Sequence, residues 1–483
     1  MVEAPRRLHP GSILIGFIRS LPQTVVAIPV ALKVAGDIGW AWILPIVAAS
    51  ALISGFIAWL RWRRFTYAVG DDALVIESGI LGRNRRTIPM TRIQDVDIER
   101  KLLQRLFGLA TVRLETGGAG KDEAVLDSVS RAEAERLRTL VRNPSAVASD
   151  PAGTEQPKHG ARTIFAMSLG RVLLFGLFNF SLVWLALLYG GLSYVDNWLP
   201  FDLADPRAWI AAERRVAGTA AVTPLLVGVA LVLFGVLGIV AGVGRTLFRE
   251  FGFTLTEEDR RLRRVRGLTT RSEGVVALRR VQLALVETGW LRRLFGWCGL
   301  SLQTLGGSGD AGGRQVVAPF AKLEEIDAVL AETRLARPEP EMLARVSSGH
   351  VLRSAIKHVG APTLVLLLVG LAFPPVWLGL LAMPVPLAAA LLSRRFHRWR
   401  RGEGVLAIAR GVTTQRLWLV PERNIQSVTI RRTWLQRRLG VASVSTDTAG
   451  AKGARPEISD IAVATAWTIA RDLSASRAAA RAA

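Results

Sequence analysis

One stretch of this chain, Ile88 to Gly118, recurs from Val276 and again from Val420, and a repeat in fixed register confines the chain to folds built from one unit used three times. Aligned on Gln94, Gln282 and Gln426, the copies place Gly108, Gly296 and Gly440 at one common offset. Gly79, Gly267 and Gly411 precede the glutamines at another, and Thr116, Thr304 and Thr448 follow at a third. These glycines and glutamines are the structural markers of the repeat.

Apolar runs separate the copies. Ile13 to Val34 with Trp40 to Trp59, and Val172 to Leu192 with Val222 to Val243, form two pairs; Val359 to Leu392, broken at Pro374 and Pro375, forms a shorter third. A helix needs about 20 apolar residues to cross the hydrocarbon core. With 50% hydrophobic and 21% charged residues and a mean hydropathy of +0.31, the chain suits membrane spans alternating with aqueous domains. Arg19 and Pro22 interrupt the first run and a second run follows, so the N-terminus reads as an uncleaved hairpin. The expected division is hairpin 1–64, domain 65–142, linker 143–160, hairpin 161–250, domain 251–335, linker 336–349, hairpin 350–398, domain 399–473 and a frayed tail 474–483.

Basic clusters close each pair: Arg61, Arg63 and Arg64; Arg245 and Arg249; then Arg394, Arg395, Arg398, Arg400 and Arg401. Positive charge beside spans marks the cytoplasmic face, which puts both termini and all three domains in the cytoplasm, with Arg214 and Arg215 the dissenting charges. Within each domain, short alternating runs precede a helix-spaced segment ending at Gly108 or its counterparts. A strand and a last helix follow, behind a Ser130/Glu133 capping box in the first copy. Strands first and a helix last is an α+β order.

The pairs Ile88-Pro89 and Val420-Pro421, the steps Ile93-Gln94 and Ile425-Gln426, the Leu-x-Arg-x-x-Gly pieces ending at Gly108 and Gly440, and His9-Pro10 ahead of the first run resemble the bacterial pleckstrin-homology-like, YdbT-type multi-pass membrane proteins. The second copy departs, with Ala277 for proline and Val281 for isoleucine. The resemblance implies three two-helix transmembrane hairpins alternating with three PH-like β domains, each a bent sheet or pair of sheets closed by a C-terminal helix. It implies little about activity, because that fold is a scaffold on which sites vary, and suggests a role in envelope stress or antimicrobial-peptide defence; the residues themselves lead us to expect no cofactor and no catalytic residues. A protein partner, such as a small PH-like membrane protein, also follows from the resemblance.

Candidate chemistry is sparse. The glycines from Thr116 to Lys121 lack the Ser or Thr after lysine that a phosphate loop uses to hold magnesium, and read as a hairpin turn. The histidines, His9, His159, His350, His358 and His397, have no metal-ligand spacing; the three that precede hairpins read as interfacial. Cys298 excludes an intrachain disulfide and reads as a small apolar residue. Asp95, Asp97 and Glu99 share a strand face that reads as solvated.

The net charge of +23 points instead to an anionic lipid surface. Candidate lipid-surface residues are Arg83, Arg85 and Arg86 in the first copy, Arg263 and Arg264 in the second, and Arg431, Arg432, Arg437 and Arg438 in the third. The first hairpin loops are acidic, Asp71-Asp72 and Glu257-Glu258-Asp259, which argues against inositol-phosphate specificity. A transporter would need polar groups at a midplane cavity, where Arg171 and Asn179 are the lead; a nucleic-acid tether would need stacking aromatics, for which the third copy offers Trp418 and Trp434. No nucleic acid is expected as a partner.

Overall fold

The structure, a computed structural model, describes residues 4–19, 43–70, 72–80, 82–116, 124–142, 161–179, 222–304, 314–449 and 455–482. The linker 143–160, the glycine turn from 117, His159, and the inner halves of the first two hairpins lie outside the described residues.

The first copy comprises β1 (Arg6–Arg7), α1 (Ile43–Arg64), β2 (Thr66–Val69), β3 (Ala73–Ser78), β4 (Asn84–Pro89), β5 (Ile93–Arg100), α2 (Leu102–Leu106), β6 (Leu109–Thr116), β7 (Ala124–Ser130) and α3 (Arg131–Arg142). The second has β8 (Arg162–Ala166), α4 (Leu169–Leu177), α5 (Val222–Glu250), β9 (Thr254–Glu258), β10 (Arg261–Arg266), β11 (Arg271–Ala277), β12 (Val281–Gly289), α6 (Trp290–Leu294), β13 (Cys298–Thr304), β14 (Arg314–Ala321) and α7 (Leu323–Glu332). The third has β15 (Ala344–Arg345), α8 (Gly349–Gly370), α9 (Val376–Phe396), β16 (Arg398–Gly402), β17 (Val405–Arg410), β18 (Thr414–Pro421), β19 (Ile425–Arg431), α10 (Trp434–Arg438), β20 (Val441–Thr448), β21 (Glu457–Ala462) and α11 (Val463–Ala482).

Each copy is thus two antiparallel sheets and a closing helix, as the resemblance implies. The third core joins Leu406, Ile408 and Val420 of one sheet to Val444 and Ile458 of the other, with Ile469 and Leu473 of α11 across them. Burying each such side chain contributes roughly 1.5–3 kcal/mol.

The repeat markers now have physical roles. Gly79, Gly267 and Gly411 take φ of +120°, +107° and +112° in the turn before the third strand, and a Cβ on any of them would lie within 2 Å of a backbone carbonyl oxygen (1.8, 1.9 and 1.9 Å). Only glycine fits there. Gln94, Gln282 and Gln426 fall where the register of the fourth strand slips, between Ile93 and Asp95, Val281 and Leu283, and Ile425 and Ser427. The extra residue is a β-bulge, which adds the bend that carries the strand from the first sheet into the second.

The sheets do not stop at copy boundaries. Their strand orders are β1-β2-β3-β4, β7-β6-β5-β11-β10-β9-β8, β14-β13-β12-β18-β17-β16-β15 and β19-β20-β21. The second sheet of one copy therefore continues into the first sheet of the next. Asp97 and Glu99 are consequently half-buried inside a seven-stranded sheet, Glu99 pairing with Arg113 at 3.1 Å, rather than on a solvated face.

By contacts the chain divides into two compact units. The larger holds residues up to Phe165, Leu255–Arg264 and everything from Ser272; the smaller holds Ala166–Thr254 and Val265–Arg271. In the smaller, Gly176 of α4 packs against the backbone of Val243 on α5, where a Cβ would come to 2.6 Å, and Asn179 donates to Thr246 at 3.1 Å. Arg266 and Glu250 form a buried ion pair there at 3.0 Å.

Among the described residues, two helices, α8 and α9, are long and apolar enough to cross a membrane. Helix α8 begins ten residues before the run expected from Val359, because polar His350, Arg353 and Lys357 belong to its first turns. The tail expected to fray from Ser474 continues α11 to Ala482.

Candidate membrane-contact site

The helix-spaced segments before Gly108, Gly296 and Gly440 form one short helix per copy, α2, α6 and α10, each stopped by that glycine at φ near +65° (+65°, +67° and +64°). In the first and third copies one side chain of the helix points inward. Gln104 and Gln436 are 0% and 1% exposed, and each accepts from the backbone N–H that precedes its helix. The apolar residues point outward: Leu102, Leu106 and Phe107; Trp290, Leu291, Leu294 and Phe295; Trp434. Leu106 is 78%, Leu294 72% and Trp434 65% exposed. Arg438 stacks over Trp434 at 5.6 Å, and Arg293 over Phe396, the last residue of α9, at 4.5 Å. Exposed aromatic and leucine side chains beside arginines match the membrane interface, where an apolar body meets lipid and a cation meets headgroups.

The inward glutamines tie these helices, through a shared carboxylate, to the first turns of α8 and to helix 11–19. Gln436 donates to Asp460 Oδ1 at 2.7 Å and to Ser443 at 2.8 Å; Arg353 and His350 of α8 bind Asp460 Oδ2 at 2.8 and 2.7 Å. Burial pushes the Asp460 carboxyl up, but these hydrogen bonds and the Arg353 charge outweigh it and hold the group below its usual value. In the first copy Gln104 donates to Asp127 at 2.8 Å and Arg19 of helix 11–19 to the same carboxylate at 2.7 Å. The second copy has Arg292 in the glutamine position, with its guanidinium 6.0 Å from the Phe320 ring.

Two clefts open beside these junctions. One of about 590 Å³ lies between α8, α9 and the third copy, with Arg353, Lys357, Arg410 and Arg431 on its wall against Glu457. His397 lines it as well, edge-on to His350 at 5.1 Å, and burial pushes its pKa down to about 3. Another cleft, of about 510 Å³, gathers Arg7, Arg63, Arg64, Arg83 and Arg85 around the end of α1, against Glu77.

A model of the bacterial PH domain matches residues 18–145, 207–337 and 356–477. The chain belongs to the bacterial PH domain family. Among bacterial PH domain proteins it is similar to the UPF0699 transmembrane protein YdbT of Bacillus subtilis (strain 168), at 23% identity over 92% of this chain and 93% of that one. It is also similar to the UPF0699 transmembrane protein YdbS of the same strain, at 27% identity over 24% of this chain and 69% of that one. No solved structure gives a significant match.

Within this bacterial PH domain scaffold the candidate arginines separate. All seven in the first and third copies are exposed; Arg83 and Arg85 line the cleft at the end of α1, and Arg431 lines the one beside α8. The second copy departs from expectation. Arg264 is buried and donates to the Val316 carbonyl at 2.8 Å, and Arg263, still partly exposed, is held by Glu273 at 2.6 Å with Arg138 on the same oxygen, so Arg264 is taken up inside the protein and the Arg263 charge is paired. Sequence reading missed His397 and Asp460, which have no local motif. It also took the α2 residues for ordinary helical spacing, although the same apolar set beside arginine in all three copies was a usable signal. Cys298 is buried and its thiol pushed up to about 11 by burial, consistent with a packing role.

Proposed function

We propose that this is a multi-pass, non-catalytic membrane protein whose three PH-like domains rest on the anionic cytoplasmic leaflet, serving as a scaffold there. The observation that carries the reading is the threefold recurrence of an exposed apolar helix flanked by arginine, α2, α6 and α10. Burying such faces in the headgroup region gains about 25 cal/mol per Å² of apolar surface, and each nearby arginine adds about 1 kcal/mol on an anionic leaflet. The two basic clefts supply headgroup sites next to hairpin ends. A part in envelope stress or defence against membrane-active peptides belongs to the same proposal, since a leaflet-bound scaffold is placed where such damage occurs.

The chain's single, buried cysteine makes the test direct. An environment-sensitive fluorophore on Leu106→Cys, Leu294→Cys or Trp434→Cys should shift to the blue in anionic proteoliposomes and be quenched by lipid-borne quenchers. The same label on the exposed Glu403→Cys should do neither. Labels that stay water-exposed at all three helices would refute the reading.

A further inference from the structure

The two internal joins between copies bring corresponding residues together. In the second, β12 and β18 place Leu285 opposite Trp418 and Glu287 opposite Arg416, the latter pair bridged at 2.7 Å. In the first, Gly274 of β11 lies against Asp97 of β5, and the repeat offset makes these two the counterparts of Trp418 and Leu285. The join is therefore a reproducible edge-to-edge interface between a fourth strand and the third strand of the following copy. Among the described residues, two such edges lie at the ends of their sheets: β4, with Arg85 and Arg86 exposed, and β19, with Thr429 and Arg431 exposed. An open strand edge is a template for another strand.

Charge decides which strand fits. Carried onto β4 and β19, the same register sets Arg86 opposite Thr429, Arg85 opposite Ile430 and Asn84 opposite Arg431. A second copy of this chain would bring Thr429 opposite Arg86 and Arg431 diagonal to it, with no carboxylate. The β5 pattern, with Asp97, Ile98 and Glu99 at the Thr429, Ile430 and Arg431 positions, would set one carboxylate opposite Arg86 and a second diagonal to it, opposite Asn84 on the same face.

We propose that β4 is the docking edge for a separate PH-like chain, whose fourth strand carries carboxylates at the positions held here by Asp97 and Glu99. The partner extends the series of sheets by one more copy of the internal join. The arginines of β4 and β19 keep the protein from polymerising head to tail, a contact that would otherwise not close on itself.

The test gives β19 the acidic pattern and uses it as the probe strand. In the full-length chain in detergent, Thr429→Asp with Arg431→Glu should self-associate about tenfold more tightly than the wild type. Adding Arg86→Glu should abolish the gain. Cysteines at Thr87 and Val428, opposite each other in this register, should cross-link between copies of the acidic variant. All three charge changes fall on exposed positions, and a thermal unfolding midpoint equal to wild type confirms folding. If the acidic β19 chain misfolds, Arg86→Glu alone serves, since it places a carboxylate diagonal to Arg431 of a second copy and should also associate. Folded variants as monomeric as wild type would overturn the proposal, and so would a wild type that associates as tightly as the acidic variant.

Discussion

At the residue scale, the third copy is organised around a buried carboxylate whose partners come from far along the chain. Asp460 is held at φ +59° and 0% exposure by Gln436, Arg353 and His350. Leaving such a group unpaired costs about 1–3 kcal/mol or more. His397, beside it, carries the clearest pH signal. Its ordinary pKa is 6.5, and burial, helped by His350 and Arg410, lowers it to about 3 while Asp460 opposes. Between those values the unfolded chain binds a proton that the folded chain does not, so stability is complete above pH 6.5 and falls as pH drops toward 3. The loss at the acid end is on the order of 4 kcal/mol. Unfolding midpoints of the detergent-solubilised protein should fall over that window, and His397→Gln should flatten the slope. The Asp460 contribution lies lower, being lost only as pH falls below the usual carboxylate range.

At the element scale, turns and short helices were readable where chemistry is local. The glycine before each third strand was visible as a repeat marker because no other residue meets the carbonyl that close. Gly411→Ala should cost more than about 3 kcal/mol, because its Cβ would lie 1.9 Å from the Thr414 oxygen and the turn must rebuild. Gly440→Ala should cost only about 1–2 kcal/mol, since nothing lies within 4 Å and the penalty is that of φ +64° alone. Thermal unfolding of the two variants checks the difference. Orientation was less legible. Spacing shows that Leu102, Leu106 and Phe107 belong to a helix, but five residues cannot show which face is buried; the hydrogen bonds of Gln104 to Thr111 and Asp127 decide that.

At the scale of the whole molecule, the proposed topology places every PH-like domain on the cytoplasmic side, following the basic clusters at the span ends. A phosphatase fused after Ala119 should be inactive and a fluorescent protein at the same position bright; the opposite result would reverse the orientation. The sequence by itself determined the threefold unit, its strand-then-helix order, the turn glycines and the basic ends of the apolar runs. These depend on backbone conformation and hydropathy over a few residues at a time. Tertiary structure alone decided that β5 and β12 join the next copy, that Arg264 turns inward and Arg263 pairs with Glu273 while Arg83 and Arg85 line one cleft with Arg63 and Arg64, and that Asp460 gathers His350 and Arg353 from more than a hundred residues away. Strand-edge pairing and buried ion pairs are long-range choices. A hydrogen-bonding edge or a guanidinium has many partners compatible with its local sequence, and only packing selects among them.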